Sequence, residues 1–433
     1  MDLEMYHAVE DNDPVKLRRC LDAGGDVNAF YQDMTLISAK SILHMCCEKG
    51  RIECVKVLLE KGADMGIRDT WYQTPLMYCM RTQWVEVGEL LLEHNSRIVD
   101  TGDKYGKCAL HIAVEVGSIE CIEVLLRHGA DVDVQNNDGV TPLSTICGDR
   151  TVASDVLVKI VKLLIDAGAD PNIKDFRECR SALQRAMLTA NVEVVEYLLS
   201  VGAIPNELDS GGRCPITNIL WYHRHLNDTS ELDDELMLII IMLIQAGANL
   251  NLSSKEQSNA LCMATLYRLT TLVEYFLHNG ADQNADFYCG TTPLQIAVRK
   301  RDLKTIKVLL NWNSDLYRKG RVIRGDLDYM TDAFHLAMDI GSFEAGILLV
   351  EMGGYDLTRV SYLTDWSKTP PAQLLQNPTM LDYFRQGAGL VPSLFRLVIF
   401  TLRKRFRGSI SEQAMALPLP KMLIRAVQLD DFT

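Results

Sequence analysis

Apolar residues recur along this chain with the period of short helices. Ile119-Glu120-Cys121-Ile122-Glu123-Val124-Leu125-Leu126 places its apolar positions three and four apart, as one buried helix face requires. Each run of this kind ends in a small-residue marker: Lys61-Gly62-Ala63-Asp64, His128-Gly129-Ala130-Asp131, Ala167-Gly168-Ala169-Asp170, Val201-Gly202-Ala203, Ala246-Gly247-Ala248-Asn249 and Asn279-Gly280-Ala281-Asp282. A second marker precedes it: Thr74-Pro75-Leu76, Ala109-Leu110-His111, Thr141-Pro142-Leu143, Cys214-Pro215-Ile216 and Thr292-Pro293-Leu294. The spacing is about 33 residues plus insertions, which predicts a repeat array of helix pairs. Proline suits the first turn of the first helix, where its missing N–H costs nothing. Threonine before it can cap orphan N–H groups, and glycine stops the second helix in the left-handed conformation.

These paired markers resemble the ankyrin repeat, and the resemblance covers residues 1–354. It implies an all-α solenoid of about ten helix-turn-helix units with β-hairpin fingers, the first a degenerate cap. Insertions are expected at 30–40, 148–155, 223–236 and 316–329, the third a polar, acidic loop. A partial unit from Thr369 is expected to cover the open end, within a junction at 355–389 where Pro378 and Gly387-Ala388-Gly389 mark the join to a tail.

Residues 390–433 break the repeat. Leu394, Leu397, Val398 and Leu402 make one helical stripe, Arg403 to Arg407 follow, and Leu417-Pro418-Leu419-Pro420 forbids a regular helix. This tail looks like a SOCS box, and the whole chain resembles the ankyrin repeat and SOCS box family. The resemblance implies a small three-helix module that docks Elongin C through Ser393, Leu394, Leu397, Val398, Leu402 and Arg403. Val398 stands where the family has Cys. Leu417, Pro418, Leu419 and Pro420 match its cullin-selecting element, while Ala426 replaces the Tyr often found there.

The implied protein is a non-catalytic substrate receptor, with Elongin B/C, cullin five rather than cullin two, a RING subunit and an unidentified protein substrate as partners. A plain ankyrin scaffold with a capping tail is the competing reading. A cap explains Leu394 and Leu402 but gives no reason for Leu417 to Pro420. A short basic membrane helix over Phe395 to Phe406, or a nuclear-import signal at Arg403-Lys404-Arg405, are the other readings of the same residues.

A net charge of −13 argues against broad nucleic-acid binding, the more so because basic residues crowd into the tail. Twelve scattered cysteines with no Cys-x-x-Cys read as reduced, buried thiols. No secretory leader or span of about 20 apolar residues is visible, so a cytoplasmic and also nuclear protein away from membranes is expected. No nucleophile, phosphate loop or metal motif appears, so neither an enzyme nor a cofactor is expected. His44, His111 and His335 share one repeat position and read as turn-bonded side chains. Asn172, Asn206, Asn251 and Asn284 read mainly as turn formers, and also resemble asparaginyl hydroxylation sites of ankyrin proteins. For capture of a protein, aromatic residues at finger tips are the best candidates: Trp71 and Tyr72 first, then Tyr105, Phe176, Phe287 and Tyr288, with Phe30 and Tyr31 nearby.

Overall fold

Helix starts and stops fall where their residues dictate. Pro75, Pro142 and Pro293 each open an inner helix. Ahead of two of them, Thr141 Oγ1 accepts from the Ser144 amide at 3.1 Å and Thr292 Oγ1 from Gln295 at 3.3 Å. Outer helices stop at glycine in the left-handed region: Gly62, Gly129, Gly168, Gly202, Gly247 and Gly280 all have φ between 80° and 98°. After Gly62, the Ala63 amide reaches back to the Leu58 carbonyl at 2.9 Å and closes the helix end. Two repeats stop without that glycine. One uses a 3-10 turn at Ser96–Ile98, and the other holds Asn313 at φ 58°.

The computed structural model describes residues 2–32, 39–226, 233–253, 259–324, 327–365 and 368–389. The chain divides into two compact units, Met1–Ser210 and Gly211–Thr433. The first holds six helix pairs: Asp2–Glu10 with Pro14–Asp22, Ile42–Glu48 with Ile52–Glu60, Pro75–Thr82 with Val85–His94, Ala109–Val116 with Ile119–Arg127, Pro142–Cys147 with Ser154–Asp166, and Ala182–Leu188 with Val192–Ser200. The described residues of the second hold four: Pro215–Leu226 with Asp234–Gln245, Ala260–Leu266 with Thr270–His278, Pro293–Lys300 with Leu303–Asn311, and Ala333–Asp339 with Phe343–Glu351. A shorter pair, Ala372–Leu375 and Pro378–Gly389, follows.

Within each unit inner helices pack on inner and outer on outer. Their apolar faces form the core, with Leu58, Leu91, Leu125 and Leu198 fully buried in the first unit. All described cysteines except the half-buried Cys179 lie in these interiors as free thiols. Among the described residues no helix is long and apolar enough to cross a membrane.

One expectation needs correction. Only two fingers carry true hairpins among the described residues, Phe30–Gln32 with Ala39–Ser41 and Gly320–Arg324 with Leu327–Thr331, both at expected insertions. The other fingers, where described, are tight turns, apart from one Phe287–Thr291 bridge. The helix from Pro378 runs through Gly387-Ala388-Gly389, the stretch expected to mark the join to the tail. A Cβ at Gly387 would sit 2.9 Å from Leu357 Cδ1, so glycine there permits close packing.

Side chains at the finger bases tie successive repeats together. Asn172 Oδ1 accepts from the Ile204 amide at 2.9 Å and its Nδ2 donates to Gly202 O at 3.3 Å. Asn251 bridges to Asp282 and Gly280 in the same way. Asp133 holds the corresponding place and accepts from the Asp170 amide, but a carboxylate has no hydrogen to return. Burial, then the neighbouring Asp170 and Asp131, pushes its carboxyl pKa up against the opposing pull of the Asp170 amide. A folded pKa raised above the unfolded value favours the fold only at low pH and opposes it at neutral pH. Asp133→Asn should therefore raise stability at pH 7 by about 0.5–1 kcal/mol, mostly through a new bond to the following repeat, since solvent screens the charge relief. A urea midpoint that stays put or falls would rule this account out.

Candidate functional site

The finger tips of the first unit share one construction. Asp69 Oδ1 accepts from the Trp71 and Gln73 amides at 2.8 and 2.7 Å, and its other oxygen accepts from Tyr78 Oη at 2.8 Å. Asp103 does the same for Tyr105 and Lys107, and Asn136 for Asp138 and Val140. Each turn residue thus spends Oδ1 on two backbone amides of its own turn, and Asp69 gives its other oxygen to Tyr78. The residue that follows them by two is thrust outward, and in successive fingers it is Trp71, Tyr105 and Asp138.

Neighbouring tips are also joined. The Lys104 amide donates to Trp71 O at 3.0 Å, Asn137 to Tyr105 O at 3.0 Å and Phe176 to Asp138 O at 2.8 Å. This ladder sets Trp71, Tyr72, Tyr105 and Phe176 along one line of the first unit, 47%, 52%, 56% and 66% exposed. Phe30 is also exposed, whereas Tyr31 is half-buried with its ring 5.9 Å from that of Tyr6. Phe287, in the second unit, departs from expectation. It is half-buried against Cys262, Ala285 and Ile296 and serves packing there, leaving Tyr288 exposed beside it.

Tyr72 stands out on backbone grounds. Its φ is 61°, and the same turn position in later fingers is held by Gly106 and Gly139, with φ 75° and 77°. A tyrosine there costs about 1 kcal/mol or more relative to glycine, and the ring, half exposed, does not recover it by burial.

Three cations around these tips were not singled out in the sequence. Lys104 Nζ lies 5.4 Å from the Trp71 ring centre, and the Arg68 guanidinium 5.9 Å from that of Tyr72. Arg81, on the inner helix that rises from the same finger, donates to Gln73 Oε1 at 2.8 Å. None of the three has a carboxylate partner among the described residues. The sequence carried no signal for them, because Asp69 and Asp103 stand directly beside Arg68 and Lys104 and only the structure shows those acids bonded within their own turns.

His44 and His111 lie in the interior and bond as expected, with a further reach. Nδ1 of His111 meets the Cys108 amide at 3.3 Å and Nε2 meets Val140 O of the next finger at 2.9 Å. His335 instead pairs through Nδ1 with Asp332 at 2.9 Å. Among the described residues no group of His, Cys, Asp and Glu is arranged to hold a metal ion. The proposed Elongin contacts Ser393, Leu394, Leu397, Val398, Leu402 and Arg403, and the cullin contacts Leu417, Pro418, Leu419 and Pro420, lie outside the described residues.

A family model of ankyrin repeats matches in three copies, over residues 43–136, 124–209 and 233–320. The chain belongs to the ankyrin repeat family. It is 32% identical over 169 residues to the ankyrin repeat protein FPV031 of fowlpox virus, covering 38% of this chain and 48% of that one. It is 24% identical over 233 residues to the E3 ubiquitin-protein ligase KEG of Arabidopsis thaliana, covering 52% of this chain and 14% of that one. The chain therefore spans less than half the length of either relative. A solved ankyrin repeat protein, EF0377, aligns at 28% identity over 45% of this chain and 96% of its own, with a TM-score of 0.40. Ankyrin repeats make this a protein of protein–protein interaction.

Proposed function

We propose that this chain is the substrate-recognition subunit of an Elongin B/C–cullin-RING ubiquitin ligase. The observation that carries the reading is the tail, where Ser393-Leu394, Leu397-Val398 and Leu402-Arg403 keep Elongin-box spacing and Leu417 to Pro420 follow at the distance of a cullin box. The array would hold a target protein and the tail would hold the ligase. Ubiquitin transfer would gain from raised local concentration of target lysines, with no chemistry by this chain. Cullin five is the favoured partner, and the complex would act in cytoplasm or nucleus.

The competing scaffold reading needs the tail as a cap. That need is weak, because Leu374 and Phe384 of the short final pair are already fully buried at the end of the last full repeat. One of the relatives bears the name of an E3 ubiquitin-protein ligase, which fits the same process.

Co-expression with Elongin B and Elongin C tests the proposal. A stoichiometric complex should co-purify with the wild type, and Leu394→Ala/Leu402→Ala should lose it by at least tenfold. A wild-type chain that is soluble alone and ignores both Elongins would leave the scaffold.

A further inference from the structure

The aromatic line on the first unit has a chemistry of its own. We propose that it takes an extended, acidic segment of the partner protein, with an aliphatic residue at every third position. The inference takes from the proposed function only that the array captures a protein, and it names what is captured.

Four observations converge. The exposed rings of Trp71, Tyr72 and Tyr105 stand on two successive tips and that of Phe176 two tips further on, past the tip of Asp138, which pairs with Arg177, and backbone hydrogen bonds join all four tips. Arg68, Arg81 and Lys104 outnumber the turn acids Asp69 and Asp103, whose carboxylates are turned to backbone amides, and none of the three forms an ion pair among the described residues, so their cationic heads stay open to a guest's carboxylates on a chain of net −13. Two of these cations are parked on the faces of Trp71 and Tyr72, where a carboxylate can meet the cation while an aliphatic group meets the ring edge. Finally, Tyr72 keeps a left-handed backbone that glycine would hold without cost, which marks its ring as retained for contact.

Geometry selects the shape of the guest. Adjacent helical repeats stack about 8–10 Å apart. A polyproline-type strand rises about 3.1 Å per residue, so side chains three apart meet successive tips. Single-stranded nucleic acid also stacks on aromatic rings beside cations, but the overall negative charge of the chain opposes a polyphosphate.

The probe is a fluorescein-labelled (Leu-Glu-Pro)5 peptide titrated with the full-length protein and followed by anisotropy. Saturable binding is expected, at least tenfold tighter than for (Leu-Lys-Pro)5. Tyr72→Gly should weaken it at least tenfold while the melting temperature holds or rises, because glycine suits that backbone. Arg68→Glu/Lys104→Glu should reverse the charge preference. No binding, equal binding of the lysine peptide, or unchanged affinity in Tyr72→Gly would overturn the proposal, as would tighter binding of an oligothymidylate. Leu394→Ala/Leu402→Ala should leave peptide affinity unchanged, and a wild-type chain that binds the peptide yet captures no Elongin sinks only the ligase reading.

Discussion

Phe384→Ala should destabilise the C-terminal end of the array by about 3–5 kcal/mol, the cost of emptying a fully buried aromatic site. Phe384 projects from the helix Pro378–Gly389 into the last full repeat. Its ring centre lies 5.4 Å from that of Phe334, edge to face, and Phe334 in turn stacks on Tyr355 at 4.7 Å. Gly346 makes the approach possible. A Cβ there would lie 3.2 Å from Phe384 Cζ and 2.3 Å from Met338 Cε. Repeat proteins draw stability from interfaces between neighbours, and a terminal interface has only one neighbour to lose. The loss should therefore be local, and because such arrays need not unfold in one step, the measurement must be local too. Hydrogen exchange should quicken across Ala333–Asp339 and Phe343–Glu351 and stay unchanged in Ile52–Glu60. Unchanged protection in Phe343–Glu351 would show that the short final pair is not a cap.

Much of this fold was legible in the sequence because its punctuation is local. Pro75 or Gly129 acts through its own backbone, so the residue type alone announces a helix start or stop. The finger tips were less legible. The resemblance to ankyrin repeats implied hairpins, but Asp69, Asp103 and Asn136 gather the turn amides themselves and leave no ladder to form. Phe287 illustrates a second limit. Repeat phase placed it at a tip beside Tyr288, yet which of two adjacent aromatics turns inward depends on the space beside Ile296 and Cys262. Gly387 illustrates a third, since nothing in the sequence shows that this glycine lets its helix come close to Leu357. The binding line was half visible. Its rings could be listed by phase, whereas its cations mattered only once the nearby acids proved to face the backbone.

The staple histidines give the second large effect, one that depends on pH. The backbone amides of Ser41 and Cys108 point at Nδ1 of His44 and His111, so Nδ1 must accept and Nε2–H must donate to Gln73 O and Val140 O, each at 2.9 Å. Gln184 and Gln295 make the same pair of bonds elsewhere, their oxygens taking the Ser181 and Thr292 amides and their nitrogens reaching Glu207 O and Thr331 O. The position therefore requires a neutral group with one acceptor and one donor. Protonation would turn a second N–H against an amide N–H. Burial lowers both histidine pKa values, against the opposing pull of the carbonyls. The unfolded chain takes up protons near pH 6.5 and the folded chain only at lower pH, so their contribution is complete above about 6.5 and is lost as pH falls toward the folded pKa. The loss steepens to at most about 1.4 kcal/mol per pH unit for each histidine. His44→Gln/His111→Gln should keep the bonds and flatten the decline between pH 7 and pH 5. His111→Ala should cost about 2–3 kcal/mol at pH 7.5 by stranding a buried amide and carbonyl. Urea titrations across that range decide the matter: a double glutamine variant that declines as steeply as the wild type would place the acid sensitivity elsewhere in the array.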